Sequence, residues 1–182
     1  MNFVEPIRDK DMVEKIANYL KGECERDYIM FMTGLYTGLR ISDILKLKVG
    51  DVTNKDNINI REQKTKKQKI IKIHPILKKL YKPFCFDKSY DEYLISSNQN
   101  EYKPISRVWA YKILKSAAKA YGIENIGTHT MRKTFGYHFY LENKDVVTLQ
   151  KIFNHSAPII TLRYIGIEQE SINKAIEKFK IF

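Results

Sequence analysis

"NINIREQKTKKQKIIKIHP", residues 57–75, is where the apolar pattern of this chain leaves helical spacing. "NINIRE" (57–62) and "KIIKIHP" (69–75) are short and rich in isoleucine, and the polar run "QKTKKQ" separates them. Short β-branched runs joined by a polar turn predict a two-stranded antiparallel hairpin. A third short strand near Val49 to Val52 is expected beside it. On either side of this segment the apolar residues return to a spacing of three and four. The expected fold is therefore α+β and mostly α, with one small antiparallel β-sheet and no internal domain boundary over residues 1–182.

The helices can be placed outward from the hairpin. Upstream, a first helix begins near Asp9 with Met12, Ile16, Tyr19 and Leu20 on one face. The nearly all-apolar "DYIMFMTGLYTG" (27–38) reads as a buried helix stopped by Gly38. "ISDILKL" supplies a short helix with Ile44, Leu45 and Leu47 inward. Downstream, "ILKKLY" (76–81) is helical, and a loop leads to a helix capped by Ser106 and ended by Gly122. Thr128 is the expected cap of "HTMRKTFGYHFYLEN", and Asp145 that of "VVTLQKIF". Pro158 opens a short helix carrying Tyr164. A last helix sets Ile172, Ile176 and Phe179 on one side.

With 182 residues and 43% hydrophobic content the chain can bury a core, so a disordered chain is excluded. No apolar run approaches the roughly 20 residues of a membrane helix. Cys24 and Cys85 stand apart, which suits free thiols in a reducing, cytoplasmic setting. The net charge of +11 points to a polyanionic partner, nucleic acid first and an anionic membrane surface second, although lysines spread over a solvated surface give the same total. Clustering decides between these. The hairpin concentrates Arg61, Lys64, Lys66, Lys67, Lys69 and Lys72 against one acid, Glu62. Six cations on one projecting element exceed what a solvated edge strand needs and suit a DNA groove.

Three further stretches carry chemistry. His129 and Arg132 in "HTMR" share a helix face, and a guanidinium can hold a phosphate through two parallel hydrogen bonds. Arg40 follows a helix-ending glycine in "TGLRISDILKL", with Asp43 three residues on to fix it. His155 and Tyr164 in "NHSAPIITLRY" flank a proline-started turn and can face one pocket. Taken singly, "HTMR" and Arg40 read more readily as solvated surface residues than as a site. No paired-carboxylate cluster and no zinc-ligand spacing occurs, and the lone His74 and His138 read as packing or surface residues.

Taken in order, Arg40, Lys64 in the hairpin, His129, Arg132, His155 and Tyr164 resemble the catalytic set of the tyrosine recombinases, and the chain from about Glu5 to its last helix resembles the catalytic domain of phage-integrase-type enzymes. The likeness departs at Asn154, where glycine is usual, and at Met131, where leucine is usual. It implies the DNA breaking-rejoining enzyme fold and a site-specific recombinase that uses no metal or nucleotide cofactor. Tyr164 would be the nucleophile, forming a 3′-phosphotyrosyl bond. Arg40 and Arg132, with His129 and His155, would bind the phosphate, and Lys64 would protonate the leaving oxygen, with Asp43 in support. Arg61, Lys66, Lys67 and Lys69 would contact double-stranded DNA. The likeness further implies self-association on DNA, from dimer to tetramer, with accessory DNA-bending proteins as possible partners. No N-terminal core-binding or arm-binding domain precedes the catalytic part, which leaves an excised domain and a small stand-alone enzyme both open. A topoisomerase-like relaxing enzyme and a silent DNA-binding regulator are the alternatives.

Overall fold

The computed structural model describes residues 4–64 and 67–180. Helix α1 (Lys10–Glu23) starts where Asp9 accepts a hydrogen bond from the Asp11 amide, and it packs on α2 (Glu25–Thr37). α2 contributes Ile29, Met30 and Phe31 to the core and ends at Gly38. Two single-turn helices follow, α3 (Ile41–Ile44) and α4 (Val49–Val52).

The expected third strand at 49–52 is thus a helical turn. Val49 and Val52 are both buried. A spacing of three brings both to one face of a helix, whereas in a strand they would point to opposite faces. Asp51 accepts from the Lys48 amide at 2.8 Å and closes the turn.

Strands β1 (Asn57–Arg61) and β2 (Gln68–Lys72) form the hairpin, antiparallel, with Asn57 opposite Lys72 and Arg61 opposite Gln68. α5 (Pro75–Phe84) is capped by the imidazole of His74, which accepts from the Ile76 amide and stacks on Tyr36. A second two-stranded sheet, β3 (Ser96–Ser97) with β4 (Asn100–Pro104), lies where the sequence suggests only a loop. Apart from Tyr102 its residues are of low β propensity. The Arg26 guanidinium holds it from outside, donating to Ser96 O and Asn98 Oδ1.

α6 (Arg107–Lys119) is capped by Ser106 as expected. α7 (Thr130–Asn143) has His129, not Thr128, at its N-cap position. No side chain caps it; the Thr130 hydroxyl instead accepts from the Gly127 amide and fixes the turn that leads into the helix. α8 (Val146–Phe153) starts at Asp145, α9 (Pro158–Tyr164) carries the tyrosine, and α10 (Ile167–Lys178) closes the chain. None of these helices is long and apolar enough to cross a membrane.

There are two packing centres. The larger gathers α1 to α6, with Ile58, Ile73, Leu94 and Ile95. The smaller holds Tyr137, Leu149, Phe153 and Ile165, with Tyr164 against it. α7 spans both, with Met131 in the first and Tyr137 in the second. A Cβ on Gly136 would lie 2.6 Å from the Phe153 ring and 2.7 Å from Ile165, so only glycine lets α8 and α9 sit this close to α7.

Gly38 has a left-handed backbone, φ 60°, and a Cβ there would come within 2.4 Å of the Phe135 ring. Gly38→Ala combines left-handed strain with overpacking, and chemical denaturation is expected to show a loss of about 2 kcal/mol or more. An unchanged midpoint would contradict the close packing of α2 on α7.

Candidate active site

The site forms where the two packing centres meet, and Arg132 is its floor. Its side chain is 2% exposed. Nη1 donates to Gly38 O at 2.6 Å and Nη2 to Phe153 O at 2.9 Å, while the guanidinium lies 4.2 Å from the Phe153 ring centroid. Burial brings its pKa down to about 10, which leaves it cationic at neutral pH.

Tyr164 approaches from the end of α9. Its hydroxyl lies 3.1 Å from His129 Nδ1, and the charges of Arg132 and Arg40 act on it. Its ring packs edge-on to His155 at 5.2 Å and to Phe153 at 5.5 Å, and the Lys133 ammonium sits 5.1 Å from the ring centroid. Burial raises the phenol pKa, and the charges of Arg132 and Arg40 oppose that rise without cancelling it.

Both histidines are biased towards the neutral form. Desolvation lowers the His129 pKa, and Arg132, Lys133 and Arg40 lower it further. His155 is brought down to about 4 by desolvation and by Arg132 and Arg40. Thr161, fully buried on α9, places its hydroxyl 3.0 Å from His155 Nδ1 and fixes the ring. Asn154 has the left-handed backbone, φ 54°, that a glycine would adopt, and it turns the chain from α8 towards His155.

Arg40 reaches the same floor from the start of α3. Its Nη1 is 2.9 Å from Glu62 Oε1 and 4.0 Å from Asp43 Oδ2. Asp43 Oδ1 also accepts from the Gln63 amide at 2.9 Å, so it ties the hairpin root to α3.

The hairpin lysines divide. Lys64 is exposed in the turn. Lys67 donates to Asn154 Oδ1 at 3.3 Å, and Arg61 lies on the exposed face of β1. Lys66 lies outside the described residues. Lys69, expected on the DNA-facing surface, turns inward: its Nζ donates to Ile152 O at 2.6 Å and lies 3.8 Å from Glu62. Its pKa falls to about 8, chiefly through burial and then the Arg132 charge.

Arg40, His129, Arg132, His155 and Tyr164 are thus brought to one pocket, with Asp43 behind Arg40 and Lys64 on the hairpin above. Sequence reasoning missed Glu62 as a site residue, and also Thr161, Lys133 and the inward turn of Lys69. Two signals were present: Glu62 is the one acid in a basic hairpin, and Thr161 shares the helix face of Tyr164 three residues on. Among the described residues no group of three or more His, Cys, Asp or Glu side chains could hold a metal ion.

The family to which this fold and pocket belong follows from comparison with known proteins. Residues 8–170 match the phage integrase family, and the chain belongs to it. It is 48% identical over 179 residues to a probable integrase/recombinase, YoeC of Bacillus subtilis (strain 168), covering 98% of each. It is 27% identical over 175 residues to the tyrosine recombinase XerA of Thermococcus onnurineus (strain NA1), covering 94% of this chain but only 62% of that protein. Among solved structures, a XerA recombinase superposes with a TM-score of 0.73 at 20% identity, covering 97% of this chain and 65% of that one. A XerH site-specific recombinase bound to palindromic difH substrate superposes with a TM-score of 0.71 at 16% identity, covering 98% and 54%.

The histidine shifts give a pH signature. Both pKa values lie below that of a free imidazole, so the unfolded chain binds more protons in that window and stability falls as pH falls from 6.5 towards about 4. Urea unfolding at pH 7 and pH 5 is expected to show lower stability at pH 5, with a smaller difference in His155→Gln. An equal difference in that variant would contradict a neutral, enclosed His155.

Proposed function

We propose that this protein is a site-specific DNA recombinase that breaks and rejoins strands through Tyr164. The observation that carries the reading is the phenol of Tyr164 within hydrogen-bond reach of His129 and under the charge of Arg132, with Arg40 and His155 in the same pocket.

Tyr164 Oη attacks a backbone phosphorus. A 3′-phosphotyrosyl bond forms, the bond to the 5′ oxygen breaks, and a second 5′-hydroxyl later reverses the step. Ionising a phenol of ordinary pKa at pH 7 costs roughly 4 kcal/mol, and burial makes it costlier here. Proton loss therefore accompanies attack, with neutral His129 at 3.1 Å as the acceptor. Arg40 and Arg132 stabilise the charge that gathers on the non-bridging oxygens, so the reaction needs no metal. His155 adds a further hydrogen bond. Lys64 on the hairpin gives its proton to the leaving oxygen. Arg61, Lys66 and Lys67 bind phosphates along double-stranded DNA.

The same reading assigns α10 to self-association. Ile172, Ile176 and Phe179 are 47%, 67% and 71% exposed, and none of the residues of α10 is buried. A groove of about 1070 Å³ lined by Val13, Met32, Leu35, Ile71, Phe135 and Phe139 lies elsewhere on the chain and fits such a stripe from a second copy. Ile172→Ser with Ile176→Ser is expected to abolish dimers on DNA in analytical ultracentrifugation while leaving the monomer folded. Unchanged assembly would rule out this surface.

The function is tested with a library of nicked duplexes of randomised core sequence, from which SDS-resistant complexes are captured. Wild-type protein is expected to yield a covalent 3′-linked species. Tyr164→Phe is expected to yield none while binding duplex DNA with unchanged, strongly salt-dependent affinity. An adduct from that variant would refute the nucleophile. Relaxed supercoils without recombinant products would favour a topoisomerase instead.

A further inference from the structure

We propose that Glu62 is a positioning residue of the cleavage site: its carboxylate fixes the Arg40 guanidinium and, through Lys69, clamps the root of the β1–β2 hairpin to the floor shared by Arg132 and Tyr164. The proposal rests on the recombinase reading above. Glu62 is 1% exposed although it follows β1 in the most basic part of the chain. Its Oε1 lies 2.9 Å from Arg40 Nη1 and 3.8 Å from Lys69 Nζ.

The Lys69 ammonium also donates to Ile152 O at 2.6 Å, and the next carbonyl along α8, Phe153 O, holds Arg132. One carboxylate therefore links α3, the hairpin and the end of α8. The adjacent amides complete the clamp: Glu62 N donates to Lys67 O at 3.0 Å and Gln63 N to Asp43 at 2.9 Å.

Charge balance gives the reason a carboxylate is needed. Arg40, Lys69 and Arg132 face one another across the floor, and among the described residues the carboxylates that oppose them are Glu62 and Asp43. Removing the Glu62 charge leaves three cations against one carboxylate, so Arg40 is pushed from the phosphate position and Lys69 loses the partner that favours its protonated form. Lys64 lies two residues beyond Glu62, so the clamp also sets where that lysine projects.

The test uses Glu62→Gln, which keeps the shape and removes the charge, on the nicked duplex recovered from the library. Adduct formation at saturating DNA is expected to slow by about 10- to 100-fold, the scale of a misplaced catalytic group. Duplex affinity is expected to stay within about threefold, because the side chain does not reach the surface. In an Arg40→Ala background the same change is expected to cost clearly less than it does alone, because the share that acts through the Arg40 guanidinium is already lost and only the share carried by Lys69 remains.

A Glu62→Gln rate near that of wild type, or an equal loss in the Arg40→Ala background, overturns the proposal. The Arg40 Nε–Hε resonance gives an arm that needs no DNA. A sharp wild-type signal is expected to broaden or shift in Glu62→Gln, and an unchanged signal also overturns the clamp. If wild-type protein yields no adduct, the recombinase reading falls, and the Arg40 signal still decides whether Glu62 positions it. Should Glu62→Gln fail to fold, Lys69→Met carries the test. Slower cleavage at unchanged affinity supports the clamp, and weaker DNA binding at an unchanged rate returns Lys69 to the DNA surface and overturns it.

Discussion

A guanidinium withdrawn from water must have its donors answered, because an unpaired buried charge costs several kcal/mol. Arg132 meets this with the last carbonyls of two helices, at Gly38 after α2 and at Phe153 closing α8. Those are acceptors that a helix leaves without partners, at the negative end of its dipole. One side chain thus closes two helices and joins the larger packing centre to the smaller. The contact dictates much around it. Gly38 must be left-handed to present its carbonyl, Gly136 must lack a side chain for α8 to come close, and Asn154 must turn the chain sharply afterwards.

The same anchoring accounts for the electrostatics of the pocket. Two carbonyls hold Arg132 from behind, and its charge acts on the Tyr164 phenol. Burial, and then the positive charge of Arg132 and Arg40, biases both histidines towards the neutral form, and the same charges oppose the rise that burial gives the phenol pKa. Glu62 and Asp43 keep the cations from driving one another apart. A pocket of this kind is ready for an anion, since its donors are fixed before any substrate arrives.

Much of this was legible in the sequence. Helical spacing located the main helices, and capping residues such as Asp9, Ser106 and Asp145 marked their starts because capping is a local interaction. Arg40, His129, Arg132, His155 and Tyr164 were each ordinary alone and stood out through their order, which resembles the tyrosine recombinase set, and they converge. What was not legible depends on packing at a distance. Val49 to Val52 reads as a strand by propensity, yet burying both valines on one side makes it a helical turn. The β3–β4 sheet is held by Arg26 from α2, which no local pattern announces. Lys69 resembles its exposed neighbours until Ile152 O and Glu62 are found beneath it.

The measurement that bears most directly on Tyr164 as the reactive group of this pocket is mass spectrometry of the captured protein–DNA species after nuclease and trypsin digestion. Cleavage after Arg163 and Lys174 isolates Tyr164–Lys174, in which Tyr164 is the sole tyrosine. A nucleotide phosphate on that peptide is the expected result. The same mass on any other peptide, with this one unmodified, would contradict the account.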